Sequence, residues 1–388
     1  MVWTIWEKLG KFLSRASVIE EMIDNGDNQV LRHMNVAKAF AICLIVLGHS
    51  FTETSNSAIR AFVYLFHVPL FFIISGFFFK DHYLRAPKDF VLGRLRRLWI
   101  PFLLWSVPFI LLHNIFFNLQ IYSPEATFRG ATVPYYSIAD TFVRLAKLIF
   151  FQESEQLLGG FWFLPCLFFT AIIFFCFFFI SNKLRNSYAL PILCVLGFIL
   201  GNFMFYNKVN FPLIPYDFRL FLITTLLFFI GFLYKKYEHL VPINSYFSLL
   251  CLLLLVFVVM IGHYKIDSIN STVGYLPKAI LYLVFTPILG TYMTLYLSKI
   301  ISRYRIADFF DYIGRNTITI LALHFLSFKL VSLIIVHSEN LNRFEIASFP
   351  VIPNHDGWFL AYFLAGVLIP LSVRTTWVKV NNAFCHKT

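Results

Sequence analysis

Long apolar runs separated by short polar connections dominate the chain, and the runs have the length of membrane crossings. Runs near the 17–25 residues that a bilayer requires fall at roughly 36–53, 59–79, 98–118, 161–180, 188–206, 219–234, 246–263, 279–298, 317–336 and 358–373. Proline and glycine inside several runs are compatible with this, since membrane helices tolerate both. The pattern predicts an all-α membrane protein, a bundle of about ten transmembrane helices. Residues 1–34 read as a polar, weakly amphipathic arm (Trp3, Ile5, Trp6, Leu9, Phe12, Leu13) without the apolar core of a cleavable signal peptide. Residues 35–374 are then the membrane domain and 375–388 a tail. No internal repeat of fixed period is visible, and low-complexity tracts are absent.

Composition agrees. The 388 residues are 59% hydrophobic and 13% charged, against about 25% charged in a soluble domain. Forty-nine phenylalanines suit lipid-facing surfaces. Cys43, Cys166, Cys176, Cys194 and Cys251 fall inside apolar runs and Cys385 in the tail. Without a C-x-x-C pair they read as small core hydrophobes, not as a disulfide framework or metal cluster.

The net charge of +12 raises the question of nucleic acid, and its distribution answers against it. With the N-terminus placed in the cytoplasm, the connections on that side carry 21 Lys and Arg against nine on the other. The positive-inside rule therefore puts both termini in the cytoplasm, and the charge is a topology signal that also favours anionic lipid. The longest connection, about 119–160, then lies outside. Its stretch Thr141–Phe151 mixes basic and apolar residues, as a short interfacial or re-entrant helix would. A structural loop and a substrate lid fit this connection equally well.

Ionisable residues inside the runs are costly and therefore candidates for function. His49 lies 13 residues past the start of the first run, about 20 Å deep, where a neutral imidazole can act as general base. Glu53 follows at i+4, on the same helical face, and could orient the ring or hold its tautomer. His67 sits at similar depth in the second run, just before Pro69. For His49 and His67, packing against a neighbouring helix is an equally good account. Lys38 reads as a snorkelling residue or a site residue. His113, Lys329 and, on its own, His324 read as structural. Arg94, Arg96 and Arg97 open the third run, where orientation alone calls for basic residues, yet arginine forks also suit a phosphate clamp.

Together these segments resemble the acyltransferase family 3 membrane proteins. The resemblance rests on NVAKAFAICLIVLGHS, FHVPLFFIISGFFF, RLRRLWIPFLLWS with its R-x-x-R pattern, GFWFLPCLFF with Trp162 and Pro165, and IGRNTITILALHFL, in that order. It implies transfer of an acyl group, usually acetyl, from cytoplasmic acyl-CoA to a hydroxyl of a carbohydrate or lipid-linked glycan, in a bacterial inner or plasma membrane. It makes His49 catalytic and Arg94 and Arg97 acyl-CoA contacts. With that frame, Glu53 is the expected support of His49, Lys38 a further acyl-CoA contact, and His67, Trp162 and His324 the expected acceptor contacts. Acetyl-CoA is implied as co-substrate, with no metal. The chain departs from the pattern at Asn35, where many relatives carry an acidic residue three positions before the basic one. The likeness is to the short, single-domain members, with no appended hydrolase-like domain expected. A transporter or flippase of a lipid-linked glycan is the alternative; inverted repeats would favour it, and none is visible.

Overall fold

The computed structural model describes residues 28–52, 55, 57–125, 127–128, 131–209, 217–262 and 272–385. Among them the α-helices are α1 (Asn28–His49), α2 (Ala58–Tyr64), α3 (His67–Phe77), α4 (Pro87–Arg94), α5 (Ile100–Asn118), α6 (Ile138–Ile149), α7 (Phe163–Leu184), α8 (Ala189–Tyr206), α9 (Phe218–Tyr237), α10 (Ser245–Ile261), α11 (Leu276–Ile280), α12 (Thr286–Ile301), α13 (Ala307–Arg315), α14 (Thr317–Ser338) and α15 (Phe359–Cys385). A two-residue ladder, β1 (Thr127–Phe128) with β2 (Ala131–Thr132), is the one β pairing among the described residues.

Eight helical stretches are long and apolar enough to cross a membrane: Ala58–Phe77, Pro87–Asn118, Gln156–Leu184, Ala189–Tyr206, Phe218–Leu240, Leu276–Ile301, Thr317–Ser338 and Asp356–Val380. The protein is a multi-pass membrane protein with an all-helical membrane domain. The two remaining apolar runs of the sequence are the helices α1, with polar residues in its first turns, and α10, of 17 residues. Exposed leucine, isoleucine and phenylalanine side chains, such as Leu111, Ile115, Leu253 and Phe257, form outer faces suited to lipid.

Two helices organise the packing. α1 lies against α3, α12, α13, α14 and α15, and α9 lies against α3, α7 and α8, so α3 joins the two groups. The α3–α9 crossing is a backbone-to-backbone contact. A Cβ on Gly76 would collide with the Phe228 carbonyl, and one on Gly231 with the Ile73 carbonyl. Small residues permit such approach between membrane helices, where packing and not water drives association.

The elements differ from the apolar runs where polar partners intervene. α1 is already helical at Asn28, ahead of the expected start near 36, and its polar early turns find partners on α13: Arg32 with Asp308 at 2.6 Å and Asn35 with Asp311 at 2.9 Å. It ends at His49, where Ser50 Oγ turns back to the Val46 carbonyl at 2.8 Å. The helical face therefore does not run on to residue 53, and Glu53 itself lies outside the described residues. The second run is broken at Leu65–Phe66 into α2 and α3. Pro69 has no N–H for the Leu65 carbonyl, and Thr286 Oγ1 donates to that carbonyl instead at 2.9 Å. Replacing Thr286 by valine keeps the shape and removes the donor. A thermal-unfolding assay in detergent should show a loss of about 1–3 kcal/mol.

In the long connection, α6 starts at Ile138 with a capping box: Ser137 Oγ accepts from the Asp140 N–H and the Asp140 carboxylate accepts from the Ser137 N–H. That bonding holds the Asp140 carboxyl below its usual range. The Trp99 indole donates to the Ile149 carbonyl at 3.0 Å and ties the end of α6 to the start of α5. Asn114 bonds Tyr136 before the start of α6, so α6 runs antiparallel along α5, with Ile138, Phe142 and Val143 exposed.

Candidate active site

The break between α2 and α3, the end of α1 and the middle of α14 meet at one place. The rings of His49 and His324 lie 5.7 Å apart, centre to centre, and Phe325 lies 5.0 Å from His49. His49 is partly accessible, whereas His67 and His324 are buried. Neither ring nitrogen of His49 bonds a described residue.

His324 is different. Its Nδ1 lies 3.1 Å from the Ile320 carbonyl and 2.9 Å from the Leu321 carbonyl of its own helix. A carbonyl only accepts, so Nδ1 carries the hydrogen and Nε2 presents a bare lone pair. That Nε2 is buried and has no hydrogen-bond partner among the described residues. A buried acceptor left without a donor costs about 1–3 kcal/mol, which marks it as a group waiting for one. Gly160 makes room beside the ring: a Cβ there would stand 3.6 Å from His324 Cε1 and 2.9 Å from Leu321 Cδ1. His67, at the first position of α3, likewise donates through Nδ1 to the Val63 carbonyl at 2.8 Å, which leaves its Nε2 as an acceptor.

Arg60, at the margin of the second apolar run, joins this group. It is only 2% exposed, and its guanidinium lies 4.6 Å from the centre of the Tyr64 ring. Tyr64 packs edge-on against His67 at 4.7 Å, and Arg60 and His67 are within electrostatic reach of His49. The available signals were Ser57, which caps α2 and puts Arg60 inside a helix, and the i, i+4 spacing of Arg60 and Tyr64.

Two of the predicted donor contacts, Lys38 midway along α1 and Arg94 at the end of α4, lie about the last turn of α3. Lys38 Nζ lies 5.2 Å over the Phe78 ring, just past the end of α3. Arg94 is half-buried over Phe90 at 5.2 Å and Phe228 at 5.8 Å, and Phe228 is the residue against which Gly76 packs. Lys38 and Arg94 thus flank one end of α3. Arg97 sits in a π turn, Leu95–Trp99, inserted between α4 and α5. The wider turn breaks the α-helical phase that would put i and i+3 on one face, and Arg97 is exposed beside the half-buried Arg94.

Trp162 ends a 3₁₀ segment, Gln156–Trp162, that packs along α14 two residues beyond Gly160. It is half-buried, edge-on to Phe163 at 6.5 Å. Just before that segment, Glu155 meets His113, and both are fully buried. His113 Nδ1 lies 2.9 Å from Glu155, and Nε2 donates to the Pro134 carbonyl at 2.8 Å, so this histidine ties the long connection to α5. Burial beside Glu155 pushes the Tyr122 hydroxyl well above its ordinary range. Lys329 is also structural: buried, it donates to the carbonyls of Ile346 at 3.0 Å and Ser348 at 2.6 Å, and does not snorkel.

The arrangement is one of imidazoles in a protein interior, joined along α1 to a cationic end of the bundle. Such a site can take a proton from a hydroxyl and hold an anionic co-substrate. No curated protein and no solved structure matches the chain. A family model, the acyltransferase domain of acyltransferase family 3, matches residues 31–374. That match runs from the polar start of α1, through every residue named at either end of the site, into α15, and the chain belongs to acyltransferase family 3, the membrane acyltransferases.

Proposed function

We propose that the protein moves an acetyl group from cytoplasmic acetyl-CoA to a hydroxyl of a cell-surface or lipid-linked carbohydrate, in a bacterial inner or plasma membrane. α1 and α10 then join the eight apolar stretches as crossings, giving ten spans with both termini in the cytoplasm, as the basic residues of the connections favour. The observation that carries this reading is the facing pair of His49, partly accessible and unbonded among the described residues, and His324, whose Nε2 lone pair is fixed and unfilled among them.

The donor's phosphates lie among Lys38, Arg94 and Arg97. Lys38 and His49 are 11 residues apart on α1, about 16 Å of helix rise, a distance an extended pantetheine arm can cover. At His49 the acceptor hydroxyl gives its proton to the imidazole while its oxygen attacks the thioester carbonyl. The carbon–sulfur bond breaks, the ester is formed, and the CoA thiolate leaves and recovers the proton from His49. His324, once His49 turns an N–H toward it, holds the ring in one tautomer and supports the imidazolium. His67 and Trp162 border the acceptor. A dry interior keeps water from the thioester.

The cationic end gives a separate test. Arg94→Ala should raise KM for acetyl-CoA about 10–100-fold with little change in kcat, because it removes a charge-assisted contact made before chemistry begins. Steady-state acetyl transfer in membranes at varied acetyl-CoA measures both constants. An unchanged KM would leave Arg94 with membrane orientation as its job.

A further inference from the structure

The acyl-transfer reading leaves a polar relay at the early turns of α1 without a purpose. Lys38 Nζ donates to Asn35 Oδ1 at 3.0 Å, and Asn35 Nδ2 donates to Asp311 Oδ1 at 2.9 Å. Asp311 Oδ2 accepts from Arg315 Nε at 2.7 Å. An amide side chain can face either way, and what it faces decides which. An ionised carboxylate only accepts, so Asp311 takes the NH₂ edge and turns the oxygen of Asn35 toward the ammonium. With the amide reversed, two sets of donors would oppose each other at Lys38.

The helices that carry the relay are fixed against each other. A Cβ on Gly314 would collide with the Asn35 carbonyl, so α13 lies directly on α1. Arg32 and Asp308 close a second contact between the same helices at 2.6 Å, and Phe40 stacks on Phe310 at 5.4 Å. Asn35 itself is buried, which makes its hydrogen-bonding geometry matter more than on an open surface.

We propose that Asp311 is a positioning residue: acting through the Asn35 amide, it seats the Lys38 ammonium where that group meets an anionic part of the acyl donor. The seating of Lys38 stands on the relay alone; the donor as the group it meets rests on the proposed function. The relay puts the carboxylate one side chain away from Lys38, on α13, so the ammonium is oriented by a neutral oxygen while the charge that sets that oxygen is held by Arg315.

Asp311→Asn removes the obligatory acceptor and keeps the shape. Two readouts on the purified full-length protein separate the two halves of the proposal. The first is labelling of Lys38 by an amine-directed reagent, read by mass spectrometry without donor. Asp311→Asn should raise it about tenfold, the worth of one hydrogen bond to a charged group. The second is KM for acetyl-CoA, which should rise about tenfold with kcat within about twofold. Asn35→Asp combined with Asp311→Asn moves the carboxylate next to Lys38 and should restore both values. Asp308→Asn, on the same helix, should move neither. Unchanged Lys38 labelling in Asp311→Asn, no recovery in the double variant, or an equal effect of Asp308→Asn would overturn the seating of Lys38. Altered labelling with an unchanged KM would overturn the donor contact. A wild-type protein that transfers nothing from acetyl-CoA would overturn the donor contact and the proposed reaction together, and the labelling would still decide the relay.

Discussion

Replacing His49 by alanine should lower acetyl transfer about 10²–10⁴-fold, the range that loss of a positioned general base produces. The loss should fall on kcat. KM for acetyl-CoA should stay within about threefold, since Lys38 and the arginines are untouched and the bond lost forms in the transition state. The expectation comes from the difference between the two facing imidazoles. His324 has its Nδ1 hydrogen committed to the backbone and its Nε2 empty. His49 is accessible and uncommitted among the described residues. Of the two, His49 is the one that can reach a substrate, and His324 the one that can fix its tautomer. His324→Ala should therefore also lower kcat, by less than His49→Ala. Equal kcat in wild type and His49→Ala, with both proteins equally present in the membrane, would remove His49 from the reaction.

The second large effect is on assembly. Gly76→Val should leave little folded protein, because α3 and α9 touch through their backbones at that residue and the new side chain meets the Phe228 carbonyl. A flexible side chain could move aside, but a backbone carbonyl in a packed helix cannot. The cost should exceed about 3 kcal/mol, beyond ordinary overpacking. Gly231→Val should behave alike, since the contact is reciprocal. Gly93→Ala is the control: nothing lies within 4 Å of a Cβ there. Size-exclusion profiles of the detergent-solubilised, fluorescently tagged protein would show the outcome. A single sharp peak for Gly76→Val at wild-type yield would mean that the α3–α9 crossing is looser than described.

The apolar runs were readable in the sequence because bilayer thickness sets their length, and their described residues are mostly helical, although the second run is split into α2 and α3. What hydropathy does not carry is backbone geometry. The break at Leu65–Phe66 lies inside an unbroken apolar run, and only Pro69 hinted at it; the partner that satisfies the freed carbonyl, Thr286, is more than 200 residues away. The π turn at Leu95–Trp99 is equally silent, yet it decides that Arg94 and Arg97 have different surroundings. The start of α1 was missed because its first turns are polar and are matched by Asp308 and Asp311 of α13. The end of α6 was near expectation, but its start was set by the Ser137 capping box and not by apolar content.

The site was partly legible for the same reason. Histidines in apolar runs stand out because they are expensive there, and His49, His67 and His324 do come together. Arg60 was passed over because it lay at the margin of a run, where a cation is ordinary. The departure at Asn35 took on meaning only in three dimensions, where a carboxylate from a different helix reaches the amide. His113 and Lys329, which read as structural, are each bonded to protein groups: His113 to Glu155 and the Pro134 carbonyl, Lys329 to two buried carbonyls.

The central claim is that the protein carries an acetyl group from acetyl-CoA to a carbohydrate hydroxyl. The direct test supplies acetyl-CoA, labelled in the acetyl group, to the cytoplasmic face of membranes that contain the protein and their own glycans. The label should appear in the carbohydrate fraction as an ester released by mild alkali, at a rate that saturates with acetyl-CoA and is absent in His49→Ala membranes. Glycan that gains no labelled ester, or gains it equally with His49→Ala, would contradict the account.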